Sequence, residues 1–342
     1  MAAPKRTLVI QSWDAGFFSN FNGVLNNLRY RLGHRGIAAA VVDWPDLGRQ
    51  SETASAPATA GNLWLQFFEP LSFDELPEPT IKATGFAAAR MTGRRAYAMY
   101  KLDRRWRSTY HTLYRHHIRI RPAILDRVEE IHRTHMKGQF CAGVHYRHPA
   151  HDRECLHPIA SPETFIARLR QALPADRPWV VFLATDVTAA LEAFRRAFGS
   201  RLVVQPGVRR SGPVEDGVLR LGQERPDIGL AREVLVDCLL LARCDMLLHV
   251  TSNVATAVGY INPSLRMVYC ETPAQAAWGY VWSIFFSGPQ IDWLSRWLPL
   301  AFRAARRRSR NVWRWIAGQP LIPRPVAAER AGRSSNEVPP PA

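Results

Sequence analysis

Apolar positions along the chain recur with two periods, and the alternation between them sets the expected architecture. Residues 5–10 (KRTLVI), which end in the apolar run Leu8-Val9-Ile10, predict a first strand. Residues 22–32 place Val24, Leu25, Leu28 and Leu32 on one helical face. Between them Asp14 to Asn22 reads as a loop. Residues 37–42 (IAAAVV) predict a second strand that ends at Asp43-Trp44. Residues 46–62 are small and polar and read as a surface loop. Residues 86–135 read as helical and basic.

A second block begins at Gln139. It predicts strands at 140–146, 179–184, 201–204, 245–250 and 266–270, and helices at 162–173, 188–198, 230–243 and 253–261. Ser161 before Pro162 and Glu163 suits a helix N-cap. Strands separated by helices of this length predict a parallel, doubly wound sheet. The expected fold class is α/β with two Rossmann-like domains. The expected boundaries are 1–138, 139–290, a basic amphipathic helix at 291–317 and a disordered tail at 318–342. That tail has six prolines in 25 positions.

Composition narrows the function classes. The 342 residues are 47% hydrophobic and 22% charged, which suits a globular chain with sizeable cores. The charge is +16, from 45 basic and 29 acidic residues. Such a surplus favours polyanionic ligands or surfaces. Nucleic acid is disfavoured as a partner: the arginines gather at 90–121 and 296–314, and no RNA- or DNA-binding signature occurs. Five cysteines, an odd number without a CxxC pair, predict free thiols in a reducing compartment. The first residues lack the apolar core of a signal peptide, and no run of 18 apolar residues occurs. A bacterial, cytoplasmic location is expected. Residues 291–317 interleave Trp293, Trp297, Trp313 and Trp315 with seven arginines. They suit either an anionic membrane interface or packing back on the protein.

Candidate chemistry sits where open α/β sheets place their ligands, at the carboxyl ends of the strands of the second block. The segments are Gly143-Val144-His145-Tyr146-Arg147-His148, Ala184-Thr185-Asp186 and His249-Val250-Thr251-Ser252-Asn253. Together they offer a cation, hydroxyls and a helix N-terminus, a set able to bind a diphosphate. Each has a plainer reading as well. Arg147 suits a solvated strand end, and Thr251-Ser252-Asn253 suits a helix cap alone. Asp237, amid VLVDCLLLA, needs a partner if buried. It is either half of a structural ion pair or a carboxylate that reads a ligand. No GxxxxGK[ST], GxGxxG or DxD motif occurs. His145–His157 holds four histidines, one Cys, one Asp and one Glu, without the spacing of a zinc site. No metal and no cofactor are expected.

The order of these motifs resembles the nucleotide-sugar domain of the α-1,6-fucosyltransferase superfamily, which includes the bacterial nodulation-factor enzymes. That family has a strand running into His-Val-Arg-Arg, a loop ending in His-Pro, a strand ending in Ala-Thr-Asp, an Asp in an apolar helix, and Ser-Ser before a last helix. Here they stand as His145-Tyr146-Arg147-His148, His157-Pro158, Ala184-Thr185-Asp186, Asp237 and Thr251-Ser252-Asn253. The resemblance covers 139–261. Gly16-Phe17-Phe18-Ser19-Asn20 resembles the glycine-containing first loop of the family, an acceptor-side element.

The resemblance implies a GT-B-like fold and an inverting, metal-independent transfer of fucose from GDP-fucose or another GDP-sugar. The acceptor would be a glycan or lipid-linked oligosaccharide. It implies that Arg147 binds the β-phosphate, that His145 contacts the nucleotide and that Asp237 accepts from guanine. Thr251 and Ser252 would bind phosphate, with His148, Thr185, Asp186 and Asn253 in the same donor site. Glu154 would be the base, with Asp152 or His151 as substitutes. The second Arg of the family motif is His148 here, and the loop before His157 is shorter; the alternative reading is a non-catalytic GDP-sugar-binding module.

Overall fold

The computed structural model describes residues 5–12, 16–34, 36–45, 61–76, 78, 80–84, 104–147, 160–208, 228–250 and 252–270. All of them lie in the first of two units, Met1–Leu294; the second is Ser295–Ala342. The basic segment at 291–317 and the tail at 318–342 lie outside the described residues.

The first three strands are β1 (Arg6–Gln11), β2 (Ile37–Asp43) and β3 (Thr80–Thr84). They form a parallel sheet in the order β2-β1-β3. Helix α1 (Phe17–Leu32) connects β1 to β2 and packs on both. It starts five residues earlier than its leucine pattern suggests. Phe17, Phe18 and Phe21 extend the apolar stripe backwards, and all three are buried. Phe17, Ser19 and Asn20 therefore sit in the first helical turn rather than in a loop, with Gly16 as the N-cap.

These phenylalanines meet an aromatic core. Phe17 packs edge-on against Trp44 and Phe67, with ring centres 5.8 Å and 5.0 Å apart. Trp64 stacks on Phe68 at 4.0 Å and donates from its indole N–H to the Glu69 carbonyl. Asn62 holds this layer to β2, accepting from the N–H groups of Trp44 and Trp64. Large aromatic side chains dominate burial energetics. Phe21→Ala should therefore cost about 3–5 kcal/mol of stability. Urea denaturation checks this, and a loss well under 1 kcal/mol would mean that Phe21 is not in the core.

Among the described residues the basic region contributes α2 (Arg104–His117) and α3 (Pro122–His135). Pro122 opens α3, where its missing N–H costs nothing. Residues 86–103 lie outside the described residues.

The second sheet contains β4 (Phe140–Tyr146), β5 (Trp179–Thr185), β6 (Leu202–Val203), β7 (Met246–His249) and β8 (Arg266–Tyr269). All pairs are parallel, in the order β6-β5-β4-β7-β8. The connecting helices are α4 (Pro162–Ala172), α5 (Thr188–Phe198), α6 (Ile228–Ala242) and α7 (Asn253–Ile261). The α/β class holds, with one parallel sheet in each half. Strand β6 is shorter than the apolar run because Gly199–Arg201 form a 3-10 turn, opened by Gly199 at φ 53°.

Side chains alternate cleanly across this sheet. Ala142, Val144, Tyr146, Val181, Leu183, Met246 and Leu248 face a core shared with α4 and α5. Cys141, Val180, Phe182, Ala184 and Leu247 face the other core, shared with α6, α7 and the N-terminal half. Burial of both faces is what a parallel sheet requires. His145 and His249 fall on this second face by the same alternation.

The seam between the halves is polar as well as apolar. Helices α1 and α2 pack on α7. Tyr110 stacks on Tyr260 at 4.4 Å and donates to Asn26 Oδ1. Arg107 donates to the Leu265 carbonyl at 2.8 Å. Four described cysteines (141, 238, 244 and 270) are buried free thiols, and Cys155 lies outside the described residues. No helix of the described residues is long and apolar enough to cross a membrane.

Candidate functional site

From β4 the chain winds outward through β5 to β6. Helix α6 then carries it back to β7 on the other side of β4. The reversal puts a topological switch point between β4 and β7, and ligands of such sheets bind in the crevice beyond the carboxyl ends at that point. What the strands deliver there follows from register. His145 pairs with His249, and Tyr146 pairs with Thr185.

Helix α7 opens beside this crevice. Ser252 is its N-cap: Oγ accepts from the Ala255 N–H at 2.9 Å. The cap reading of Ser252 holds, but it is not the whole of its role. The same Oγ lies 3.1 Å from His145 Nδ1, so the strand end and the helix start are joined directly. Asn253 is joined to the other half, since Asn22 Nδ2 donates to the Asn253 carbonyl at 3.0 Å. The positive end of α7 thus faces a region bordered by β4, β7 and α1.

The remaining candidates take distinct places. Arg147 follows directly on β4 and is half-buried. Thr185 is buried, and its hydroxyl accepts from the Val187 N–H at 3.1 Å, so it closes the turn after β5. Asp186 is half-buried beside it. Tyr146 packs edge-on against Phe165 at 5.2 Å. Burial, with Glu163, Asp186 and Cys270 adding, pushes its phenol far above the usual range, so it stays neutral.

Asp237 is buried on α6. In the amide orientation that satisfies its neighbours, Gln205 donates to Asp237 Oδ1 at 2.9 Å and to the Glu233 carbonyl at 3.1 Å. Gln205 lies just beyond β6. The carboxylate is therefore held by an amide at the far side of the sheet from the switch point. Two strand spacings, about 10 Å, separate β6 from β4.

His148, His151, Asp152, Glu154 and Thr251 lie outside the described residues. Among the described residues no group of three or more His, Cys, Asp or Glu is placed to hold a metal ion.

No protein-family model matches the chain, and no curated protein matches it. Solved structures do. The chain is similar to NodZ alpha-1,6-fucosyltransferase soaked with GDP-fucose, with 19% identity and TM-score 0.47, over 76% of this chain and 93% of that one. It is similar to fucosyltransferase NodZ from Bradyrhizobium, with 20% identity and TM-score 0.46, over 74% and 92% of the two chains. It is also similar to POFUT1 in complex with GDP, with 10% identity and TM-score 0.42, over 79% and 100%.

Three residues of this region were not singled out individually from sequence. His249 was visible only as part of its segment; its register partnership with His145 marks it. Gln205 stands two residues beyond β6, where the strand-end rule applied to every strand would have found it. Asn22 belongs to an asparagine-rich stretch of α1 whose contacts cross the chain.

His249 also carries a pH signature. Burial, with Arg107 adding, lowers its pKa to about 4 from the ordinary 6.5. The unfolded chain then binds more protons than the native state between those values, so stability falls as pH drops from 6.5 towards 4. The full effect is roughly 3 kcal/mol. His249→Gln should lose less stability than wild type between pH 7 and pH 4.5 in urea titrations. Equal losses would contradict a buried neutral imidazole.

Proposed function

We propose that the chain is a glycosyltransferase that uses a guanosine diphosphate sugar, with fucose as the sugar. The observation that carries this reading is the direct link between His145 at the end of β4 and Ser252 at the start of α7, at the switch point, with Arg147 next in the chain. Such an edge suits a diphosphate. Backbone N–H groups of the first turn of α7 and the helix dipole favour negative charge, and a guanidinium matches phosphate oxygens two at a time.

The distance across the sheet supports the base assignment. A nucleoside diphosphate lying from β4 towards β6 spans about 10 Å, which brings the base towards Asp237 and Gln205. A carboxylate accepts both N–H groups that guanine presents on one edge, and uracil and cytosine lack that pair.

The proposed chemistry is a single inverting displacement without a metal. The acceptor hydroxyl oxygen bonds to the anomeric carbon as the bond from that carbon to the β-phosphate oxygen breaks. The pair of electrons leaves with GDP, and Arg147 stabilises the charge that develops there. The acceptor proton goes to a base, for which Glu154 is the candidate. Residues 1–138 are proposed as the acceptor side and 139–290 as the donor side, with a glycan or lipid-linked glycan as acceptor. Turnover assays with GDP-fucose, GDP-mannose and UDP-sugars, with and without EDTA, test the reading. GDP-fucose hydrolysis or transfer that EDTA leaves unchanged supports it, and turnover of UDP-sugars alone contradicts it.

We further propose that residues 291–317 bind anionic membrane at the cytoplasmic face. Co-sedimentation with vesicles of mixed neutral and anionic phospholipid should fall several-fold when the chain is ended at residue 290. Unchanged binding would remove that role from the segment.

A further inference from the structure

Ser252 has a hydroxyl proton to place. The residue is 4% exposed, its Oγ accepts from Ala255, and His145 Nδ1 lies 3.1 Å away. A buried hydroxyl proton without an acceptor costs about 1–3 kcal/mol. Imidazole Nδ1 accepts that proton only when it carries no hydrogen itself. The hydrogen of a neutral His145 then sits on Nε2.

One strand away the opposite holds. His249 Nδ1 lies 3.1 Å from the Val250 carbonyl oxygen, which can only accept. His249 therefore carries its hydrogen on Nδ1. His145 and His249 are register partners on the same face of the sheet. Two register partners on one face of the sheet thus have Nδ1 partners that call for opposite tautomers.

We propose that Ser252 is a positioning residue for His145: its hydroxyl fixes the imidazole as the neutral Nε2–H tautomer, so that His145 serves as a hydrogen-bond donor to an acceptor oxygen of the nucleotide. This rests on the reading that a nucleoside diphosphate occupies the crevice, and it adds which atom of His145 acts, in which protonation state, and what sets that state. A donor at Nε2 suits a phosphoryl oxygen or a base carbonyl and is unsuited to a base N–H.

The test is a two-bond proton–nitrogen correlation spectrum of the histidine side chains in the full, uniformly nitrogen-15-labelled chain. His145 is assigned by its loss in His145→Gln. Wild type and Ser252→Thr should both show His145 with hydrogen on Nε2 and a bare Nδ1. Ser252→Asp can still accept from the Ala255 N–H but has no proton to give, so the hydrogen should move to Nδ1 or the ring become doubly protonated. Hydrogen on Nδ1 in wild type would overturn the proposal, as would an unchanged pattern in Ser252→Asp. If Ser252→Asp does not fold, the wild-type spectrum decides.

GDP titration separates this proposal from the reading beneath it. His145→Gln, whose amide nitrogen can stand near Nε2, should bind GDP at least 10-fold more tightly than His145→Asn. GDP binding by wild type with the other tautomer would sink the positioning role and leave the nucleotide site standing. No GDP binding by wild type would sink the nucleotide site, and the donor role with it.

Discussion

Arg147→Ala weakens GDP binding by about 100-fold and lowers kcat/KM for the GDP-sugar by at least as much. A charge-assisted hydrogen bond contributes about 1.5–3 kcal/mol, which is roughly 10- to 150-fold. A guanidinium that bonds two phosphate oxygens sits at the upper end of that range. The kinetic effect should exceed the binding effect, because negative charge grows on the leaving oxygen as the sugar bond breaks, and Arg147 acts on that growth. Arg147→Lys should recover only part of the loss, since an ammonium is a point donor where the guanidinium is a fork. Arg147 is half-buried at a strand end, so its replacement should leave the thermal midpoint within a few degrees of wild type. Calorimetric titration with GDP and steady-state kinetics check both parts. Equal affinity in wild type and Arg147→Ala would remove the phosphate from this strand end.

Two substitutions at Asp237 are expected to part company. Asp237→Asn keeps an oxygen for the Gln205 amide, so the fold survives. It replaces one acceptor by a donor facing guanine N–H, so GDP affinity should fall about 10- to 100-fold while the weaker affinity for UDP barely moves. Asp237→Ala strands the buried Gln205 amide as well, and an unsatisfied buried donor costs about 1–3 kcal/mol. Its melting temperature should fall along with its GDP affinity. If Asp237→Asn binds GDP as wild type does while Asp237→Ala melts early, the carboxylate serves only to hold Gln205 and the end of β6.

The second sheet was legible in the sequence because its strands are buried on both faces. FCAGVHY and WVVFLA stand out as apolar runs between amphipathic helices, and they pair in parallel as a βαβ order implies. Ser161 and Ser252 were legible as caps, and both accept the backbone N–H three residues on. The first sheet was harder. Strand β3 is the short mixed segment TIKAT with Lys82 exposed, and nothing in its pattern separates it from loop. The start of α1 was hidden for another reason: GFFSN reads as a glycine-led loop, whereas burial of Phe17 and Phe18 against Trp44 and Phe67 makes it helix. At the site, strand-end residues could be named from sequence, but not their partners. The His145–Ser252 contact spans 107 positions, and Asn22–Asn253 spans 231. Such contacts depend on which strands end up adjacent, and period alone does not show that.

The central claim is that a guanosine diphosphate lies across the carboxyl edge of the second sheet. A crystal structure of the chain with GDP tests it most directly. The account predicts density for the diphosphate beside Arg147 and the first turn of α7, an acceptor oxygen within hydrogen-bond distance of His145 Nε2, and guanine N–H groups facing Asp237. A nucleotide bound elsewhere would contradict it, and so would a base turned away from Asp237 with the diphosphate out of reach of Arg147.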